Sequence, residues 1–392
     1  MIVVAVASGT SADGLDVGVV DLAVEGDAVA AHVLDTWTEP WPAGLAERLL
    51  AVLPPATTTA RELAALDTEV GQAVGAVAAA AVARAPGTPT LVVSPGQTVH
   101  HEVDGDRCLG TLQLGQPAWV VEATGLPVVS DLRARDVAAG GHGAPLAAVL
   151  DALWLAGGTG PRVALNLGGI ANVSVVAPDG GTLAWDTGPA NCLLDVAASR
   201  ASDGRLSCDV DGAMAARGQV LPGLLDALLA HPHYALAPPV STGRETFSAA
   251  YLDGLLAAHG HPAWDDVLAT LVALTATTVA EAVRPHRPVD VVASGGGTRN
   301  AVLMAALADR LDAPLRTSDE LGLPVDGKEA VLWALLGFLT WHGVPVSTAP
   351  AGTRPPRVLG RISPGDAPLV LPSPLAAPTR LVIPTPAEEQ SA

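Results

Sequence analysis

Apolar positions near the start of the chain fall in short continuous runs broken by glycine and small polar residues, the pattern of buried strands joined by functional turns. Residues 2–7 form one such run, which breaks at Ser8-Gly9-Thr10-Ser11-Ala12-Asp13-Gly14-Leu15-Asp16 before a second run over residues 17–24. Together they predict a hairpin with an oversized turn. A third strand is expected over 32–38, closed by Pro40-Trp41-Pro42. Thr57, Thr58 and Thr59 offer caps for a long helix through Arg84, where apolar and alanine positions recur at helical spacing. A strand over 91–94 then runs into polar residues 95–101. After it the pattern predicts a helix over 115–124, a short strand over 127–130 and a charged connection over 131–136.

From Arg162 the opening pattern returns. Residues 163–167 read as a strand, Gly168 and Gly169 as a turn, 173–176 and 182–185 as two further strands, and a helix follows from Pro189. The same succession in both halves predicts an internal duplication of architecture and hence an α/β protein of two similar lobes. Beyond it, 208–234 reads as helix with loops and 241–247 as a polar linker. An apolar helix over 267–283 is interrupted by four threonines and ends before Arg284-Pro285. A strand over 289–293 feeds Gly295, Gly296 and Gly297, a helix follows over 301–311, and Lys328 opens the last long helix through Trp341. The Pro-rich tail after Pro364 shows no periodicity, and its last residues are expected to be disordered.

At 392 residues the chain has room for two domains with sizeable cores. Forty acidic against 21 basic residues, a net charge of -19, argue against nucleic acid or an anionic membrane as partner. A phosphate-bearing ligand must then be held by backbone N–H groups, glycine turns, metal and a few arginines. Lys328, the only lysine, is followed by Glu329, so a Walker-type phosphate loop is excluded. Cys108, Cys192 and Cys208 have neither metal-type spacing nor an even count, as in a reducing cytoplasm. His231, His233, His259 and His261 flank Pro or Gly with no third ligand nearby and read as loop histidines. The N-terminus lacks a basic segment before its apolar run, and the Ala-rich residues 73–85 are too short and weakly apolar to span a bilayer, so a soluble protein is expected.

The chemistry centres on Leu183-Ala184-Trp185-Asp186-Thr187-Gly188-Pro189, an apolar strand expected to stop on a carboxylate and turn into a helix. Asp186 is placed as a catalytic base at a strand's end would be, though an Asp before Thr-Gly-Pro serves equally as a turn or cap residue. Glycine turns bracket it, upstream at Gly168 and Gly169 and downstream at Gly295 to Gly297, where a ligand can approach the backbone closely. In the first hairpin the glycines and hydroxyls present donors to phosphate while Asp13 and Asp16 can orient a hydrated Mg²⁺; an ordinary hairpin with Asx turns fits the same residues. Arg133 and Arg135 suit either surface ion pairs or an anionic, polyhydroxylated ligand.

Seven segments in order resemble the anhydro-N-acetylmuramic acid kinases of the actin-like sugar kinase, Hsp70 and actin superfamily. They are Gly9 to Asp16, Gly96-Gln97-Thr98, Asp131-Leu132-Arg133 through Gly143-Ala144-Pro145, Asn166 to Asn172, Asp186 to Pro189 with Asn191, Gly295 to Gly297 with Arg299-Asn300, and Gly322-Leu323-Pro324 with Lys328-Glu329-Ala330. The resemblance implies two actin-like, ribonuclease H-like lobes around a central ATP and sugar cleft. Lobe I would comprise 1–130 completed by 345–380, lobe II 131–344, with 381–392 a disordered tail.

The implied reaction uses ATP and water to open a 1,6-anhydro amino sugar and phosphorylate it, with Asp186 as base. Gly9, Thr10, Ser11, Ala12, Asp13, Gly14, Leu15, Asp16, Gly168, Gly169, Gly295, Gly296, Gly297 and Asn300 would bind nucleotide. Thr98, Arg133 and Glu329 would bind sugar, and Asp13 would reach Mg²⁺ through water. A cytoplasmic homodimer active in cell-wall recycling is implied as well. Pro95, His100, His142, Ala190 and Gly327 depart from residues usual in the family, which bears on sugar preference more than on kinase chemistry. An ordinary hexose or amino-sugar kinase of the same superfamily, or a non-catalytic actin-like ATP-binding interaction protein, are the alternatives.

Overall fold

The computed structural model describes residues 1–104, 107–347 and 355–385. Its strands in chain order are β1 Ile2–Ala7, β2 Leu15–Glu25, β3 Ala28–Glu39, β4 Pro89–Ser94, β5 Gln97–Asp104, β6 Arg107–Leu114, β7 Val128–Ser130, β8 Arg162–Leu167, β9 Ile170–Val176, β10 Thr182–Pro189, β11 Asp290–Ser294, β12 Leu315–Thr317, β13 Arg361–Ser363 and β14 Arg380–Val382. The chain divides into two compact units, residues 1–154 with 322–392, and residues 155–321.

The first unit holds a seven-stranded sheet of order β13-β7-β4-β1-β2-β3-β14. Within it β1 pairs parallel with β4 and β4 with β7, whereas β2 runs antiparallel to both β1 and β3. The second unit holds β10-β9-β8-β11-β12, where β8 pairs parallel with β11 and β11 with β12, and β9 runs antiparallel to both β8 and β10. Five strands in the same order and the same directions recur in both units, so the duplication read from glycine turns and apolar runs is present in the topology.

Domain boundaries differ from the sequence reading. Residues 131–154 and 322–344, assigned to the second lobe, pack with the first unit. The reason is visible in the helix Lys328–Trp341, whose residues from Ala330 to Thr340 are all buried. That helix lies on β1, β2 and β4: a Cβ on Gly18 of β2 would sit 2.8 Å from the Cβ of Ala330, and one on Gly337 would overlap Val93 of β4. Gly337→Ala is therefore expected to overpack this layer, costing about 1–3 kcal/mol and several degrees of Tm in calorimetry. An unchanged Tm would mean the helix can lift off the sheet without penalty.

The tail also differs. Leu381 and Val382, expected to be disordered, belong to β14, which adds parallel to β3 with Leu381 opposite Val29. Burial of Leu381 and Ile383, two residues apart on one face, explains the attachment. Residues 386–392 of that expectation lie outside the described residues. Residues 97–101, read only as polar residues after a strand, fall in β5 of a separate two-stranded hairpin with β6.

The core of the second unit is built around the helix Trp264–Val283. Among the described residues, 264–286 is the one helix long and apolar enough to cross a membrane, and 78% of its apolar window is buried inside the protein. Two of its threonines bond to backbone carbonyls: Thr270 Oγ1 donates to Asp266 O at 2.7 Å, and Thr275 Oγ1 donates to Pro189 O at 2.9 Å. The second bond fastens the end of β10 to the core helix.

Candidate active site

In the second unit Asp186 sits within β10, not at its end. Pairing with β9 continues past it, Asp186 opposite Asn172 and Pro189 opposite Ile170, with a register shift between Asp186 and Gly188. The irregularity takes the place of the expected strand end and re-aims the side chains around it. Gly188 permits this at φ 130°, where a Cβ would lie 2.9 Å from the Tyr234 ring. The Asp186 backbone is held on both sides, its N–H donating to Val240 O at 2.9 Å and its carbonyl meeting His233 Nε2 at 3.2 Å. Its carboxylate Oδ2 accepts one bond, from the Thr242 N–H at 2.8 Å.

Loss of hydration pushes the Asp186 carboxyl up to about 6; the Thr242 N–H opposes this and the nearby charge of Glu245 adds to it. A carboxylate tuned this way on a strand fixed to the core has the character of a general base near neutral pH.

The glycine turn at Gly168 and Gly169 links β8 to β9 beside it. Gly169 O accepts from Ala190 N and Cys192 N, and Gly168 O from Asn191 N, each at 3.0 Å, so the turn is pinned to the start of the helix Asn191–Ala201. Asn191 Nδ2 donates to Leu167 O at 3.0 Å. The triple-glycine turn packs against the end of β8: Gly295 has φ 87°, and a Cβ there would lie 2.8 Å from Asn166 Oδ1 and 3.0 Å from Leu167 O. Only glycine fits that approach. Asn300 caps the helix Ala301–Arg310, its Oδ1 accepting from Leu303 N at 3.0 Å.

In the first unit, the β1–β2 turn is held from below by Gln97, whose Nε2 donates to Gly9 O at 2.9 Å. Ala12 adopts a left-handed φ of 51° with its N–H on Gly9 O at 3.1 Å. Asp16 accepts from Thr38 Oγ1 at 2.6 Å, yet burial and the charges of Asp13 and Asp326 raise its pKa.

Glu329 belongs to the same cluster. Glu329 is exposed to solvent, yet crowding by surrounding protein, with the charges of Asp16 and Asp13, raises its pKa against the opposing Trp333 N–H and Arg133. Arg133 is lowered by lost hydration and partly restored by Glu329; its Nη1 donates to Gly143 O at 2.8 Å and its guanidinium stands 5.5 Å from the Trp333 ring centre. Thr98 Oγ1 accepts from Gln113 Nε2 at 3.3 Å on the β5–β6 hairpin.

The structure thus gathers Asp13, Asp16, Glu329 and Arg133 in the first unit, and Asp186 with Gly168 and Gly169 in the second. Sequence reading missed Thr242, Arg244 and Glu245, taken as linker, and His233, taken as a loop histidine, although it is buried against the Asp186 backbone. It also missed Asp326. The signal available for 241–247 was a charged Arg-Glu pair inside a Ser-Thr-Gly turn.

The two units repeat one α/β strand order, with glycine turns at strand ends and a buried carboxylate within β10, an arrangement suited to phosphoryl transfer. The chain belongs to the anhydro-N-acetylmuramic acid kinase family, whose model matches residues 1–365. Proteins called anhydro-N-acetylmuramic acid kinase from Streptomyces avermitilis and Streptomyces coelicolor are 54% and 51% identical to it, over 98% and 97% of this chain and 100% and 98% of theirs. One from Acaryochloris marina is 37% identical over 92% of this chain and 99% of its own. Among solved structures, a ROK family glucokinase from Streptomyces griseus, in complex with glucose and AMPPNP, covers 85% of this chain and 98% of its own at 14% identity and TM-score 0.38.

Proposed function

We propose that the chain carries out its family's reaction with Asp186 as the base. It is a kinase that hydrolytically opens 1,6-anhydro-N-acetylmuramic acid and phosphorylates O6, giving N-acetylmuramic acid 6-phosphate in cell-wall recycling. ATP is the phosphoryl donor and the cytoplasm the site of action. The observation that carries the mechanism is the Asp186 carboxylate, anchored by the Thr242 N–H and raised to about 6.

Asp186 takes a proton from water as the water oxygen bonds to the anomeric carbon. The bond from that carbon to O6 breaks with its electron pair on O6, which attacks the γ-phosphorus and expels ADP. Arg133 is a fork donor for the sugar's lactyl carboxylate, and Glu329 and Thr98 are acceptors for its hydroxyls. The glycine turns offer backbone N–H groups to phosphates, and Asn300 its amide to the adenosine end.

Mg²⁺ fits the first unit through water. Among the described residues no three metal-binding side chains converge, but Asp13 and Asp326 lie close enough to Asp16 for their charges to raise its pKa, and an ion that keeps its waters suits such a cluster. When bound it neutralises charge on the transferring phosphates. The homodimer is part of the same proposal, and a monomer at micromolar concentration in sedimentation would remove it.

Incubation with ATP and the anhydro sugar, assayed for ADP, tests the function directly. Activity only toward intact hexoses would instead make Asp186 the base for a sugar hydroxyl. Because the base must be ionised, kcat/KM is expected to fall as pH drops through about 6, by roughly tenfold per unit below it. A profile flat down to pH 4.5 would remove Asp186 from that role.

A further inference from the structure

We propose that Arg244 binds the phosphate chain of the nucleoside triphosphate from its position over the Gly168-Gly169 turn, an inference that rests on the kinase reading above. A Cβ on Gly169 would lie 3.1 Å from Arg244 Nε and 3.2 Å from Nη2, so the guanidinium lies against backbone that only glycine leaves bare. Gly168 and Gly169 have their carbonyls committed to the start of the helix Asn191–Ala201.

Among the described residues Arg244 makes no hydrogen bond or ion pair, although the chain carries nearly twice as many acids as bases. Asp195 and Cys192 feel its charge, but neither engages its donors. A planar fork of five free N–H groups beside a glycine turn matches two oxygens of a phosphate.

The same loop serves the base. Thr242 N–H holds Asp186 Oδ2 at 2.8 Å, and Arg244 follows two residues later. Residues 241–247 therefore fix the group that accepts the proton and carry the group that meets the phosphate charge. A single carboxylate, such as the sugar's, is the competing anion. The adjoining turn favours phosphate, because backbone amides and a guanidinium together make a larger anion cradle than one carboxylate requires.

Calorimetric titration of wild type, Arg244→Ala and Arg244→Lys with Mg-ATP, Mg-ADP and AMP tests this. Arg244→Ala is expected to weaken ATP by about tenfold to a hundredfold while AMP changes less than twofold, with Arg244→Lys between them. The side chain is exposed, so thermal unfolding should be unchanged. Equal losses for ATP, ADP and AMP, no loss at all, or an effect confined to KM for the anhydro sugar would each overturn the assignment. Wild-type turnover of the anhydro sugar, measured on the same preparation, judges the kinase reading separately, since nucleotide titration needs no sugar.

Discussion

Asp186→Asn is expected to lower kcat by roughly 10²–10⁴ while leaving Mg-ATP affinity close to wild type. The amide keeps an oxygen to accept the Thr242 N–H and nearly the same volume, so it removes the ability to take a proton and little else. Stability should move the other way from activity. The folded carboxyl, at about 6 against an ordinary 3.8, binds its proton more tightly than the unfolded one does. Ionised Asp186 therefore opposes folding, fully above pH 6, and that penalty is relieved as pH falls from 6 toward 3.8. A neutral Asn at pH 7.5 should hold Tm at or above the wild-type value. Calorimetry supplies both readouts: a large loss of Mg-ATP affinity would mean that Asp186 serves a metal, and a lowered Tm would mean that its charge is compensated in the fold.

The legible parts of this molecule are those with short-range signals. Continuous apolar runs ending in glycine marked β1, β4, β8 and β11, and their repetition exposed the duplication because each half needs the same turns in the same order. Thr59 was readable as a cap, and its side chain accepts from Glu62 N as expected. Asp186 was legible as a residue but not as a position. Nothing local says that β10 continues past it through a bulge, since that pairing is set by β9 and by Tyr234 against Gly188. The loop at 241–247 was opaque for the same reason. It lies 56 residues from Asp186 in sequence, and what brings Thr242 to the carboxylate is a tertiary contact with no periodic signature. Lobe boundaries failed where an apolar helix can pack on either sheet; Gly18 and Gly337, which admit the helix Lys328–Trp341 to the first sheet, look like ordinary strand and helix glycines until the packing is seen.

The largest stability loss is expected at Lys328. Its ammonium stands 2.7 Å from Asp151 Oδ1, an ion pair by distance without the angles of a hydrogen bond, with side chains only 12% and 2% exposed, both within the first unit. Lys328→Met would leave the Asp151 carboxylate buried without its counter-ion, a change that costs about 3–5 kcal/mol. At about 2–4 °C per kcal/mol for a unit of this size, Tm should fall by roughly 6–20 °C. Removing both charges is different: Lys328→Met with Asp151→Leu replaces an ion pair by apolar contact and should recover most of the loss. The pair also holds the first turn of the helix that carries Glu329, one residue on. The single variant should therefore raise KM for the anhydro sugar more than it lowers kcat, measured below its Tm, because Glu329 is proposed to hold sugar in ground and transition states alike. A Tm within a degree or two of wild type would mean that water already solvates Asp151 and that the helix start is fixed by its packing on the sheet alone.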